Sequence, residues 1–452
     1  MNEKLSKLLT YISIIVLSLL LILYLFSNNI ILLVLAGIIA IFISNRKIKH
    51  FGILLFIISF IIRLIVIIVA NFPQVYDFKT LLEASHMFAN GDYSFNTWYH
   101  FSTWGYQTAF VIYQGLLLKL FHSEFILKLL NIIYSSLLVY IVYRLGLKIS
   151  KNEKSSRIVS LLYMIFPFYL FLNTVLLNSH LATLLSYIGV FFLIKNEAKY
   201  KDYLFGGLLI AFGNLIRPEG IIIVLTLLVY KLVTLKKENI KKVIISLLIF
   251  LSTYFIICNT SSFLVKTTNI NPSGLENKDP LWKFLLGFNY ESCGYYVDED
   301  TQFQVSKEVE INEIKRRALE DIPRTGKLMV CKVDKFWLSS GLEGEMGSFN
   351  DKEFKILGIT IKFTLIKDLA VSLNKGINII ILALSLLGLI TNRKKIKEEI
   401  LFLLIMILIT FGIYLFIEIQ PRYLYFIHIS LFALATLGID YIQDLLLKIK
   451  KK

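Results

Sequence analysis

Residues 51–71 read FGILLFIISFIIRLIVIIVAN, with Arg63 the only charged side chain. As a helix, a run of this length crosses roughly 30 Å of hydrocarbon. In lipid a backbone must satisfy its own hydrogen bonds, and a barrel strand would alternate polar and apolar residues. This stretch does not alternate, so it reads as a membrane-spanning α-helix. Its flanks differ in charge: Arg46, Lys47 and Lys49 precede it, and Asp77 follows it. Basic residues gather in cytoplasmic loops, which places Asp77 at the outer face.

Working outward, the same pattern recurs near 8–26, 29–44, 125–146, 158–172, 178–195, 203–216, 219–235, 243–264, 376–391, 400–418 and 423–444. The expected fold is an all-α polytopic membrane protein of about 12 transmembrane helices. Composition agrees: 56% of the 452 residues are hydrophobic and the mean hydropathy is +0.68, above the roughly 45–50% usual for soluble domains. The first run leads into the second without a small-residue cleavage site, so it reads as a retained anchor.

The net charge of +16 would suggest nucleic acid in a soluble protein. Here the lysines and arginines sit in short loops between apolar runs, so no nucleic-acid partner is expected. The clusters at Lys4 and Lys7, Arg46 to Lys49, Arg144 to Arg157, Lys195 to Lys201, Lys236 to Lys242, Arg393 to Lys397 and Lys448 to Lys452 all fall on one side if 106–121 does not span. Gln114, Gly115 and Lys119 interrupt that stretch, so a juxtamembrane or re-entrant helix is expected. The chain then divides into an N-terminal hairpin (1–50), a core (51–264) with juxtamembrane helices in its first outer loop (72–124), a small α-rich extracytoplasmic domain (265–375) and C-terminal spans (376–452). Cys258 lies in an apolar run, whereas Cys293 and Cys331 share the outer segment and are a candidate disulfide pair.

Outer loops hold most of the unusual polar residues. Asp77 stands at the hydrocarbon boundary and reads either as a helix N-cap or as a carboxylate with a chemical role. Its neighbours Phe72, Val75, Tyr76 and Phe78 are expected to desolvate it partly. Lys79, Glu83, His86 and Asn90 follow at helical spacing on one face, with Gly91 as the C-terminal cap. Arg217-Pro218-Glu219-Gly220 breaks two apolar runs and leaves an arginine at the interface, either snorkelling or facing an anion. Glu418-Ile419-Gln420-Pro421-Arg422-Tyr423 repeats that arrangement before the last run. His180 lies at another outer turn, where packing competes with function. Arginines match phosphate bidentately. There is no Gly-rich phosphate loop, no Cys/His metal cluster and no serine elbow, so no metal or cofactor is expected.

These pieces, in this order and on one face, resemble the C-type glycosyltransferase superfamily, in the family 39 branch that includes protein mannosyltransferases and lipid A aminoarabinose transferases. The resemblance covers most of 50–265 and 375–445. It rests on Asp77 to Tyr93, on Arg217 to Gly220 and on Glu418 to Tyr423. It implies transfer of a sugar, with inversion, from a polyprenyl-phosphate donor to an extracytoplasmic acceptor: a cell-envelope glycan, lipid or protein. Asp77 matches the family's general base. Arg217 and Arg422 match positions near the donor phosphate, with His180, Glu83, Glu418 and Tyr423 as further substrate contacts. The chain departs from the family at Phe78, where relatives carry a second acid, and at His180, where they often carry Glu. The expected location is the plasma membrane of a bacterial cell. The competing readings are a flippase or transporter of lipid-linked sugars, which would carry charge along a mid-membrane path, and a polymer ligase.

Overall fold

The computed structural model describes residues 3–24, 31–70, 72–150, 152–195, 197–236, 240–339, 341–342, 352–356, 359–394 and 396–450. Residues 25–30, where the first two expected spans meet, and Lys151, Lys237, Lys395, Lys451 and Lys452 of the basic clusters lie outside them.

The expected spans fall on helices, one each except 158–172, which covers two, Glu153–Met164 and Pro167–Phe171. In chain order these are α1 (Glu3–Tyr24), α2 (Ile31–Ser44) and α3 (Phe51–Ala70). The segment 72–124 adds α4 (Tyr76–Ala89), α5 (Tyr99–Thr103) and α6 (Thr108–Phe121). Then come α7 (Glu124–Ser150), α8 (Glu153–Met164), α9 (Pro167–Phe171), α10 (Ser179–Leu193), α11 (Tyr200–Ile216), α12 (Gly220–Thr234) and α13 (Ile240–Thr267). The next segment holds α14 (Trp282–Gly287), α15 (Lys307–Leu319), α16 (Ile322–Lys332) and an antiparallel hairpin, β1 (Glu353–Ile356) with β2 (Ile359–Lys362). The chain ends in α17 (Phe363–Asn392), α18 (Glu398–Phe416) and α19 (Tyr425–Lys450).

Among the described residues, six helices are long and apolar enough to cross a membrane: α3, α7, α13, α17, α18 and the α19 segment. The count is seven if α8 and α9, bent by 54° at their break, form one span. This fits a multi-pass membrane protein. Of the twelve expected spans, those at α2, α10, α11 and α12 have only 14 to 17 residues, where about 20 are needed to span; α1, with 22 residues, is not among the six. α6, with 14 residues, is also short, as its interrupted sequence implies.

Close crossings hold the bundle together. A side chain at Gly438 of α19 would strike the backbone of Leu384 in α17, and one at Gly189 of α10 would strike Ile210 in α11. Small residues at such crossings let backbones approach, which is where helices in lipid gain packing energy. The single charge of the opening stretch, Arg63, is buried. It donates to the Ser59 hydroxyl (2.6 Å) and to the Met164 carbonyl (3.4 Å) at the end of α8. A cation suits a helix C-terminus, where carbonyls lack partners.

The 265–332 segment docks through its backbone. The Glu418 amide donates to Lys283 O (2.7 Å), Ile419 to Gly294 O (2.9 Å) and Lys278 to Thr103 O (2.9 Å). Lys332, buried, donates to the carbonyls of Gly287 (3.0 Å), Leu415 (2.8 Å) and Ile417 (2.7 Å). Next to it Cys293 and Cys331 form a disulfide, and Cys258 remains a free thiol. The candidate pair of the sequence is therefore bonded in the fold.

Candidate functional site

α4 begins at an unusual backbone. Tyr76 has φ +51°, in the left-handed region that a bulky residue adopts only when its surroundings hold it there. The N-cap position belongs to Val75, so Asp77 sits in the first turn and makes no capping bond. The capping interpretation of Asp77 is thereby replaced. Beyond it the expected amphipathic face is present: Lys79, Glu83, His86 and Asn90 are exposed, while Phe78, Leu81, Leu82 and Ser85 are buried. The helix ends in a Schellman turn, Asp92 N–H to Met87 O and Gly91 N–H to Phe88 O, with Gly91 at φ +79°.

Asp77 accepts a hydrogen bond from Arg422 at 3.1 Å. The Asp77 side chain is half-exposed (52%) and that of Arg422 only 12%. The expected apolar shielding of Asp77 is thus partial, and its nearest partner is a cation. Arg422 reaches it because Pro421 breaks the chain between α18 and α19 into a short 3₁₀ turn. The guanidinium lies over the buried Phe78 ring, 5.1 Å from its centroid.

Arg217 follows α11 in an extended conformation (φ −151°) forced by the coming proline. It donates to Glu219 (2.5 Å) and to Asn178 (3.2 Å). Its guanidinium also covers the Tyr423 ring at 4.8 Å. One carboxylate oxygen of Glu219 is buried with no partner.

A third cation joins them. Lys283 of α14 lies 4.9 Å from the centroid of the same Tyr423 ring and 3.4 Å from Glu418. Burial pulls the Lys283 ammonium down, but Tyr423 and Glu418 more than offset this and carry it above its ordinary value, so it stays charged. Sequence reasoning missed Lys283 because a single lysine in a long polar segment has no periodicity or flanking break to mark it. The usable signal is its place one residue after Trp282, which anchors a small core with Leu285 and Leu286.

Asp77, Arg217, Glu219, Lys283, Arg422 and Tyr423 line one cavity of about 510 Å³. Five of the seven site residues expected from sequence bear on it directly or from just behind. Asp77, Arg217, Arg422 and Tyr423 form the wall, and Glu418 sits buried behind Tyr423, accepting its hydroxyl at 3.2 Å. Glu83 stands apart on the exposed face, paired with Lys79 at 3.7 Å. His180 also stands apart: fully buried, it bonds Tyr425 at 2.7 Å and faces the Leu172 carbonyl at 3.4 Å.

Each cation of the cavity is matched by a carboxylate: Arg422 by Asp77, Arg217 by Glu219, Lys283 by Glu418. An incoming anion has three donors to meet, and it competes with carboxylates for them. The Asp77 pair is the most exposed and the least costly to separate. Neither a family model, a curated protein nor a solved structure matches this chain.

Proposed function

We propose that this protein is a membrane glycosyltransferase that moves a sugar from a polyprenyl-phosphate donor to an acceptor hydroxyl outside the cytoplasm, with inversion. The observation that carries this reading is the convergence of Asp77 with Arg217, Lys283 and Arg422 on one cavity. A carboxylate and three phosphate-type donors are what a single displacement at an anomeric carbon needs.

In this reading the donor phosphate takes Arg422 from Asp77 and spans toward Arg217 and Lys283. The freed carboxylate removes the proton of the acceptor hydroxyl. The acceptor oxygen bonds to the anomeric carbon as the bond from that carbon to the phosphate oxygen breaks. The electron pair leaves on the phosphate, where the cations stabilise it. The lipid tail lies in the bilayer beside the bundle. All twelve expected spans belong to the membrane region, the short ones extended by their breaks, with residues 265–375 outside. A disulfide in that segment fits an oxidising compartment.

The transporter reading asks for a polar route through the bundle. The bundle's most titratable buried groups are engaged with neighbours: Arg63 with Ser59, His180 with Tyr425, Tyr169 with His428 at 2.5 Å. The void beside His428 measures only about 10 Å³, too small for a sugar. This favours the enzyme. The test is transfer of label from a purified polyprenyl-phosphate sugar by the purified protein. Movement of intact donor across vesicles without transfer would sink the proposal.

A further inference from the structure

The helices that frame the Asp77 cavity have a second cavity at their opposite ends. The first takes Asn178 before α10, Asn214 and Arg217 at the end of α11, Glu219 before α12, and Cys258 and Ser262 late in α13. The second, about 240 Å³, takes Lys195 after α10, Tyr203 early in α11, Tyr230 and Lys231 late in α12, Lys242 early in α13 and Glu398 at the start of α18.

Its wall carries four lysines, Lys195, Lys231, Lys236 and Lys242, against two glutamates, Glu197 and Glu398. Asp202 is occupied by Lys195 at 2.6 Å, and Glu398 accepts the Tyr230 hydroxyl at 3.0 Å. Lys231, Lys236 and Lys242, all on its wall, have no ion pair among the described residues. Lysines that only mark topology extend into water. Lys231 instead lies over the rings of Tyr203 and Tyr230, 5.1 and 5.3 Å from their centroids. Both tyrosines are buried, so the ammonium is held at the cavity by a fixed aromatic floor. The volume is roughly eight times the ~30 Å³ share of one liquid water, room for a phosphate and its adjoining glycerol.

Leu232, Leu235, Ile244 and Leu248 of the flanking helices α12 and α13 are exposed and apolar. Acyl chains attached to a phosphate in the cavity would run along them. We infer that this is a binding site for the phosphodiester headgroup of an anionic glycerophospholipid in the leaflet opposite the Asp77 cavity. Basic pockets between membrane helices recognise such headgroups. The site uses none of the residues assigned to transfer, and it stands whether or not the chain is an enzyme.

Native mass spectrometry of the purified protein, titrated with phosphatidylglycerol or with phosphatidylcholine of the same chains, tests it. The wild type is expected to retain phosphatidylglycerol preferentially. Each lysine near an anionic surface contributes about 1 kcal/mol, or roughly five-fold, so Lys231→Gln with Lys242→Gln should weaken that binding by roughly twenty-five-fold and abolish the preference. Size-exclusion profile and melting temperature check that the variant is folded. Equal binding of the two lipids, or a preference unchanged in the double variant, overturns the site. Displacement of the lipid by micromolar glycerol 1-phosphate overturns the lipid assignment in favour of a soluble phosphate.

Discussion

Asp77 and Arg422, 345 residues apart in sequence, meet at 3.1 Å on the wall of the cavity. The pair masks the proposed base until an anion claims its partner. Asp77→Asn removes the proton acceptor and the ion pair that an incoming phosphate must displace from Arg422. Transfer is expected to fall by about 10²–10⁴-fold, the usual share of general base catalysis, with donor affinity kept or raised. Radiolabelled transfer and donor binding on the same preparation check this; wild-type turnover in the variant refutes the assignment.

Arg217 and Arg422 should bind the donor phosphate. Losing a charge-assisted bond costs about 1.5–3 kcal/mol, so Arg422→Ala should weaken donor binding by roughly ten- to hundred-fold. Arg217→Ala also strands the buried Glu219, so it is read in the Glu219→Gln background. Arg217→Lys keeps the charge, loses the fork and should remain impaired. Unchanged donor affinity in both alanine variants would return these arginines to interface anchoring.

The outer placement of the 265–375 segment is testable at Val305, which is 78% exposed. With Cys258→Ser as background, Val305→Cys should react with an impermeant maleimide in intact cells. Reaction only after permeabilisation would reverse the topology and the proposed site with it.

Much of this architecture is readable in the apolar runs because bilayer thickness fixes their length. The expected spans fall on helices, although 158–172 is broken into two, and Pro218 and Pro421 marked the breaks that place Arg217 and Arg422. Other features were illegible for identifiable reasons. α17 starts at Phe363 rather than near 376 because its first turns carry Lys367 and Asp368, and hydropathy ignores a polar start. Asp77 looked like a cap because caps favour aspartate, yet the helix starts two residues earlier, at the left-handed Tyr76 with Val75 as its cap. His180, expected near an outer turn with packing and function both open, is buried against Tyr425. Lys283 and the cavity opposite are assembled from distant segments, which local patterns do not encode.

The disulfide should be measurable as thiol count and as stability. Alkylation without reduction should modify one cysteine, Cys258, and after reduction three. Loss of the bond by Cys331→Ser should lower stability by about 2–4 kcal/mol, seen as a drop in melting temperature. Three reactive thiols in the unreduced protein would contradict the pairing.

Glu310 gives the outer segment a pH dependence. Burial, and the carboxylate of Asp279 beside it, push its carboxyl from 4.5 up to about 7. Between those values the folded chain holds a proton that the unfolded chain has released, so stability is full below about 4.5 and declines as pH rises toward 7. The melting temperature should fall across this window in the wild type and fall less in Glu310→Gln, which keeps a donor to Asp279. Parallel profiles for the two proteins would refute it.

The backbone bonds from Glu418 and Ile419 to Lys283 and Gly294 also impose an order on biogenesis. Chains fold as they leave the ribosome, N-terminal parts first. Here the carboxylate of Asp77 is inserted early, but its guanidinium partner and the strap that seats Lys283 are among the last parts made. A nascent or truncated chain that stops before residue 415 carries Asp77 without Arg422. Under the proposed function such a chain would be inert, and half-built copies in the membrane would leave the lipid donor pool untouched.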